Sequence, residues 1–183
     1  MSHKGNHRIR RFEPADRDRM LAFAKGLPEH DLLFLGRDLR HPRVIEAWLA
    51  AVEEGSIDSF IAEHSEGGQV LGTAALVRDP LGWSAHVGEV RLLVSSERRG
   101  AGLGRDLLEC VFAVARDRGL AKLTAAMTPD QAGAVALFES LGFRGEALLK
   151  DHVQGRDGEQ HDLAILSYDA GRVATRHEAF GLQ

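Results

Sequence analysis

The stretch that most constrains this chain runs from Val90 to Leu108. Val90-Arg91-Leu92-Leu93-Val94 is an apolar, partly β-branched run that reads as a buried strand. Ser95 to Arg98 is a short polar turn, and Arg99-Gly100-Ala101-Gly102-Leu103-Gly104-Arg105 runs straight into an amphipathic helix. A strand that feeds a glycine-rich loop and then a helix aims free backbone N–H groups, at the positive end of the helix dipole, at one point in space. Such a point binds phosphate. Gly100, Gly102 and Gly104 let the backbone approach an anion without Cβ interference and take positive φ where the loop needs it. Arg99 adds a permanent positive charge at the mouth.

The spacing decides between phosphate ligands. A Walker loop needs a Lys after its last glycine, and none follows here. A dinucleotide fingerprint needs G-x-G-x-x-G with an acidic residue about 20 positions on. Here the third glycine comes one residue early, and the next strand, Lys122-Leu123-Thr124-Ala125-Ala126, carries no acid. What remains is Arg99-x-x-Gly102-x-Gly104, the R/Q-x-x-G-x-G/A spacing. With its strand before and helix after, this pattern resembles the acyl-CoA-binding motif of the GNAT N-acetyltransferase superfamily. Downstream, Asp130 to Phe143 is similar to the family's second helix, N-x-x-A-x-x-L-Y-E-x-x-G-F, with Ala134, Leu137, Glu139, Gly142 and Phe143 matching. Gln131 stands where Asn is common, and Phe138 where Tyr is common. The two motifs cover roughly residues 85 to 145, and the order of elements extends the likeness over most of the chain.

The resemblance implies an α/β (α+β) fold in a single domain over 1–183, with a core at about 7–169 and a polar tail at 170–183. Its mixed central sheet would have six to seven strands, flanked by about four helices, with splayed central strands that bind acyl-CoA. It implies transfer of an acetyl group from acetyl-CoA to a primary amine by direct attack in a ternary complex. In that picture the amides of Arg99, Gly100, Ala101, Gly102, Leu103, Gly104 and Arg105 hold the CoA pyrophosphate. Main-chain groups of Leu92, Leu93 and Val94 pair with the pantetheine arm, and one amide there serves as the oxyanion donor. Arg98 and Arg105 flank the loop and either reach the 3′-phosphate or stay solvated.

Glu89, in the same strand, is the candidate general base, acting directly or through a water. Apolar neighbours would raise its pKa toward the useful range. The plainer alternative is a salt bridge to a neighbouring basic side chain. Gly88 beside it suggests a bulge, and a one-residue slip would turn Glu89 to the other face. By the same resemblance Phe138 would pack against the CoA arm, but it has no hydroxyl to protonate a departing thiolate. That substitution keeps open a non-catalytic acyl-CoA-binding or sensing domain. An interaction module with a vestigial loop is disfavoured by the intact glycines and Arg99.

Length and composition agree with a globular enzyme. The chain has 183 residues, 44% of them hydrophobic and 27% charged. A formal charge of −4 argues against a nucleic-acid partner. A lone Cys110 cannot close an internal disulfide and falls among helical apolar residues as a packed hydrophobe. No signal peptide or membrane span is visible, so a cytoplasmic location with no membrane partner is expected. The nine histidines lack ligand spacing, so no metal is expected. A homodimer is compatible with the pattern.

The remaining elements place the acceptor side. Helices are expected from Pro14 or Asp16 to Lys25 and over Arg43–Glu54, and a hairpin over Ser59–His64 and Val70–Arg78. A long strand should run from about Ser84 to Val94, and two closing strands over Gly145–His152 and Asp162–Tyr168. Residues 29 to 42 read as a loop whose run Leu32-Leu33-Phe34-Leu35 is either core or a lid over the acceptor, core being favoured. The acceptor, a small-molecule or peptide amine, should lie between the first two helices and the late hairpin. Neither sign of charge dominates the 29–42 segment, so its class stays open.

Overall fold

The computed structural model describes residues 7–170. Most of the tail expected at 170–183 therefore lies outside the described residues. The strands are β1 (His7–Arg11), β2 (Ile57–His64), β3 (Val70–Val77), β4 (Val87–Val94), β5 (Lys122–Met127), β6 (Arg144–Gln154) and β7 (Gln160–Asp169). The α-helices are α1 (Arg17–Lys25), α2 (Pro42–Glu53), α3 (Leu103–Asp117) and α4 (Ala132–Ser140). One open sheet takes the order β1-β2-β3-β4-β5-β7-β6. Every neighbouring pair is antiparallel except β4 and β5, whose connection through α3 is the crossover a parallel pair needs. The fold is the mixed α/β architecture expected from the motifs.

Helices cover both faces of the β1–β4 half of the sheet, which is why β2 and β3 are buried along almost their whole length. On one face Leu103, Leu107, Leu108 and Val111 of α3 pack on Ala62, Ala74, Leu76 and Val90. On the other, Met20, Phe23 and Ala24 of α1 and Ile45 of α2 pack on Ile61, Val70 and Leu93.

Four local expectations are revised. The strand before the loop starts at Val87, because stacked turns (the Ala85 amide on Gly82 O and the Val87 amide on Ser84 O) occupy the preceding residues. Gly88 makes no bulge: β4 pairs with β3 without a register shift from Glu89 to Val94. Its glycine is a packing requirement, since a Cβ would stand 2.6 Å from Leu76 Cδ1 and 2.7 Å from Leu120 Cδ1. The closing strands are longer than expected, and β6 carries a real bulge, with Lys150–His152 set against Asp162 alone and Asp151 at φ 49°. Finally, the 29–42 segment is no plain loop. Glu29–Leu35 forms a 3₁₀ helix that starts after Pro28 and stops at Gly36, whose φ is 68°. Leu32, Leu35 and Leu39 are core, while Leu33 and Phe34 stay half-exposed.

Candidate active site

β4 and β5 pair only at Val87, Gly88 and Glu89, opposite Lys122, Leu123 and Thr124. Beyond that point each follows its outer neighbour. Val90–Val94 stay with β3, and Ala125–Met127 stay with β7. The two strands thus open into a wedge whose apex is Glu89 and Thr124.

Peptide groups along β4 alternate between its two neighbours. The Ser95 amide donates to Leu71 O at 2.9 Å, and the Leu93 carbonyl lies against Gly72, so odd-numbered residues spend their main chain on β3. The N–H and C=O groups of Leu92 and Val94 therefore face the wedge. Leu93, expected to join them, does not: its main chain faces β3 and its side chain is core.

At the wide end of the wedge stands the start of α3. Gly100 and Gly102 have φ of 75° and 86°, with open space where a Cβ would be. No side chain caps the helix, and its first main-chain bond is Asp106 N–H to Gly102 O at 3.1 Å. The amides of Leu103, Gly104 and Arg105 thus have no acceptor within the helix and carry the positive end of its dipole. Gly104 has a different reason to be glycine. A Cβ there would be 3.1 Å from Leu137 and 3.4 Å from Leu92, so it lets α3 close on α4 and β4. Ala101 is exposed in the turn. Arg105 donates to Ser140 Oγ at 3.0 Å, tying α3 to α4.

Glu89 shares the face of Arg91 and Leu93, the side on which α1, α2 and the 3₁₀ helix pack. Its Oε1 accepts from Arg91 Nε at 2.8 Å, and the side chain is 36% exposed to solvent. The apolar surroundings expected for it are replaced by this ion pair. Phe138 sits in α4 with 3% exposure, its ring set edge-on to Phe143 at 5.0 Å. It is a core residue under the wedge, not an exposed wall for a ligand. Cys110 is half-buried, and burial followed by the nearby Glu109 and Asp106 pushes its thiol up, away from nucleophilic use.

Two residues of the 3₁₀ helix complete the site, and sequence reading did not single them out. Asp31 accepts from Arg99 at 2.5 Å and from Gln131 at 3.4 Å. His30 Nε2 lies 2.9 Å from Asp130 Oδ2 and 3.1 Å from Thr128 Oγ1. Burial opposes ionisation of Asp130, but hydrogen bonds from Thr128 and His30 hold its carboxyl below the usual range. The segment thus crosses the mouth of the wedge from the α3 loop to the end of β5. Its partners lie 68 to 100 residues away, so no local pattern could reveal them. Among the described residues no group of three or more His, Cys, Asp or Glu is placed to hold a metal ion.

The fold recurs in solved structures. A ribosomal-protein-alanine N-acetyltransferase from Brucella melitensis superposes with a TM-score of 0.73 at 27% identity, over 88% of this chain and 99% of its own. The yncA protein of Salmonella typhimurium, solved with its cofactor acetyl-CoA, gives 0.73 at 24% identity, covering 90% of this chain and 94% of its own. The splayed sheet with its glycine loop is the N-acetyltransferase fold. By sequence, residues 26–143 match the profile of the acetyltransferase (GNAT) family, and the chain belongs to that family. Among curated relatives, N-acetyltransferase 8 of Rattus norvegicus is 38% identical over 94 residues, 49% of this chain and 41% of that protein. N-acetyltransferase 8B of Homo sapiens is 31% identical over 120 residues, 62% of this chain and 52% of that protein. The chain spans about half the length of these curated relatives or less.

Proposed function

We propose that this protein transfers an acetyl group from acetyl-CoA to a primary amine by direct attack in a ternary complex. The observation that carries the reading is the wedge between β4 and β5, open on the Leu92 and Val94 main chain and ending at the uncapped start of α3. Acetyl-CoA supplies an activated thioester. The amides of Leu103, Gly104 and Arg105 hold its phosphates, and the Arg99 guanidinium joins them once it leaves Asp31. Leu92 and Val94 bind its arm, and one of their N–H groups donates to the oxygen on which charge develops, worth about 2.7–4 kcal/mol when well placed.

An alkylammonium has a pKa near 10 and must lose a proton before it can attack. Glu89, at the apex and on the acceptor face, accepts that proton, with Arg91 fixing its orientation. The amine nitrogen then bonds to the carbonyl carbon as the carbon–sulfur bond breaks. Phe138 offers no proton, so the thiolate, whose thiol has a pKa near 8.5, takes its proton from water. The polypeptide functions as one domain from 1 to 183 in this reading, with no metal, no nucleic-acid partner and a cytoplasmic site of action.

Release of free CoA thiol on mixing the protein with acetyl-CoA and a panel of primary amines tests the proposal. Glu89→Gln should lower the rate at least tenfold near neutral pH while acetyl-CoA binding persists. A second reading, an acyl-CoA-binding domain without turnover, is favoured by the buried, hydroxyl-free Phe138. Binding of acetyl-CoA with no thiol release for any amine would select it.

A further inference from the structure

A cleft of about 450 Å³ lies between the 29–40 segment and the bulged β6–β7 hairpin, against the segment that crosses the wedge. Glu29 and Leu32 line it, while His30 and Asp31 of the same segment reach the wedge residues, so the two cavities share a wall. Resting on the acetyltransferase reading above, we infer that the cleft seats an amine acceptor carrying a carboxylate beside a compact apolar group.

The charges within the cleft do not cancel. Its acids are Glu29 and Asp38, and its guanidiniums are Arg37, Arg40 and Arg156. Both acids are committed. Arg40 holds Asp38 Oδ1 at 2.9 Å and Glu29 Oε2 at 2.6 Å. Arg156 adds its guanidinium to Asp38 and its backbone N–H to Glu29 Oε1 at 2.7 Å. Arg40, the foremost cause, holds the Asp38 carboxyl down to about 2. Three cations against two saturated anions leave one positive charge, and it belongs to Arg37. That side chain is exposed and has no carboxylate partner among the described residues.

A cleft with one free guanidinium and no free acid repels a cationic pocket-filler and attracts a single anion. Gly36, in the left-handed region, turns the chain so that Arg37 follows the apolar Leu33 and Phe34. These give the cleft a greasy wall beside its cation. The bulge brings His152 to the opposite wall as a further polar group with no carboxylate. The volume suits an amino acid or a short peptide end.

The test avoids the amine altogether. N-acetyl-leucine and N-acetyl-leucinamide differ only in carboxylate against carboxamide, and neither has a titrating amine. Calorimetry should find the acid bound at least tenfold more tightly by the wild-type protein. Arg37→Gln should shrink that ratio to within twofold, and Arg37→Lys should restore part of it. Equal binding of the two probes, no binding of either, or a ratio that survives Arg37→Gln would each overturn the inference. Failure of the acetyltransferase reading is a separate result: no thiol release with any amine, while the probe pair still reports on the cleft.

Discussion

Glu89 and Thr124 are the last residues to face each other across β4 and β5, and the wedge opens immediately beyond them. The pair one step earlier, Gly88 and Leu123, closes the apex, and a Cβ on Gly88 would stand 3.3 Å from Leu123 and nearer still to Leu76 and Leu120. Gly88→Ala should therefore destabilise by about 1–3 kcal/mol through overpacking. Urea unfolding should show a lower midpoint with an unchanged slope. A midpoint equal to the wild type would mean the apex is loosely packed.

Gly102 has φ 86° at the start of α3, with nothing near its missing Cβ, so its constraint is conformational and not steric. An L-residue there costs about 1–2 kcal/mol. Gly102→Val should keep the fold, as judged by far-UV circular dichroism, and weaken acetyl-CoA binding at least tenfold by calorimetry. Undiminished binding would remove the loop from the donor site.

The Arg99–Asp31 pair sets a carboxylate in competition with phosphate for one guanidinium. Asp31→Asn removes the competitor and leaves the main chain in place. Acetyl-CoA should then bind more tightly by up to about fivefold, a partly exposed ion pair being worth up to about 1 kcal/mol. Weaker binding in the variant would mean that Asp31 helps to build the donor site.

Acid stability offers a check on the network that links the 29–40 segment to the hairpin. The Asp38 carboxyl is held at about 2 by Arg40 in the folded protein and has an ordinary value of 3.8. A depressed carboxyl contributes stability that is present above its unfolded value and lost as pH falls through the folded one. Unfolding free energy should thus fall between about pH 4 and pH 2, and Asp38→Asn should flatten that part of the curve while lowering the plateau above it. An identical pH profile in the variant would show that Asp38 contributes nothing.

How much of this was legible in the sequence differs from element to element. The β4–loop–α3 unit was readable because its signals are local: an apolar strand run, three glycines at fixed spacing and an amphipathic helix. The sequence presents Gly100, Gly102 and Gly104 as one device, whereas Gly100 and Gly102 serve the backbone and Gly104 serves packing, a distinction that only neighbours distant in sequence decide. Sequence alone does not separate Leu93 from Leu92 and Val94, because the direction of a strand's peptide groups depends on which neighbour it pairs with. The alternative of a salt bridge from Glu89 to a neighbouring basic side chain is realised by Arg91, two residues on. The roles of His30, Asp31 and Arg37 were hidden for the same reason as the charge of the acceptor cleft. Arg99 binds Asp31, Asp130 binds His30, and Arg156 engages Glu29 and Asp38, from 68 to 127 residues away, so none of these partners lies in the local sequence.

If the wedge and the α3 loop form a CoA donor site, a thermal-shift titration with acetyl-CoA, CoA, NAD and ATP should show stabilisation of the protein by the two CoA species alone. Ligand at about 100 times its dissociation constant stabilises by about 2.7 kcal/mol, which raises the midpoint of a chain this size by about 5–10 °C. A rise confined to acetyl-CoA and CoA is the predicted result. No rise with either CoA species, or an equal rise with NAD or ATP, would contradict it.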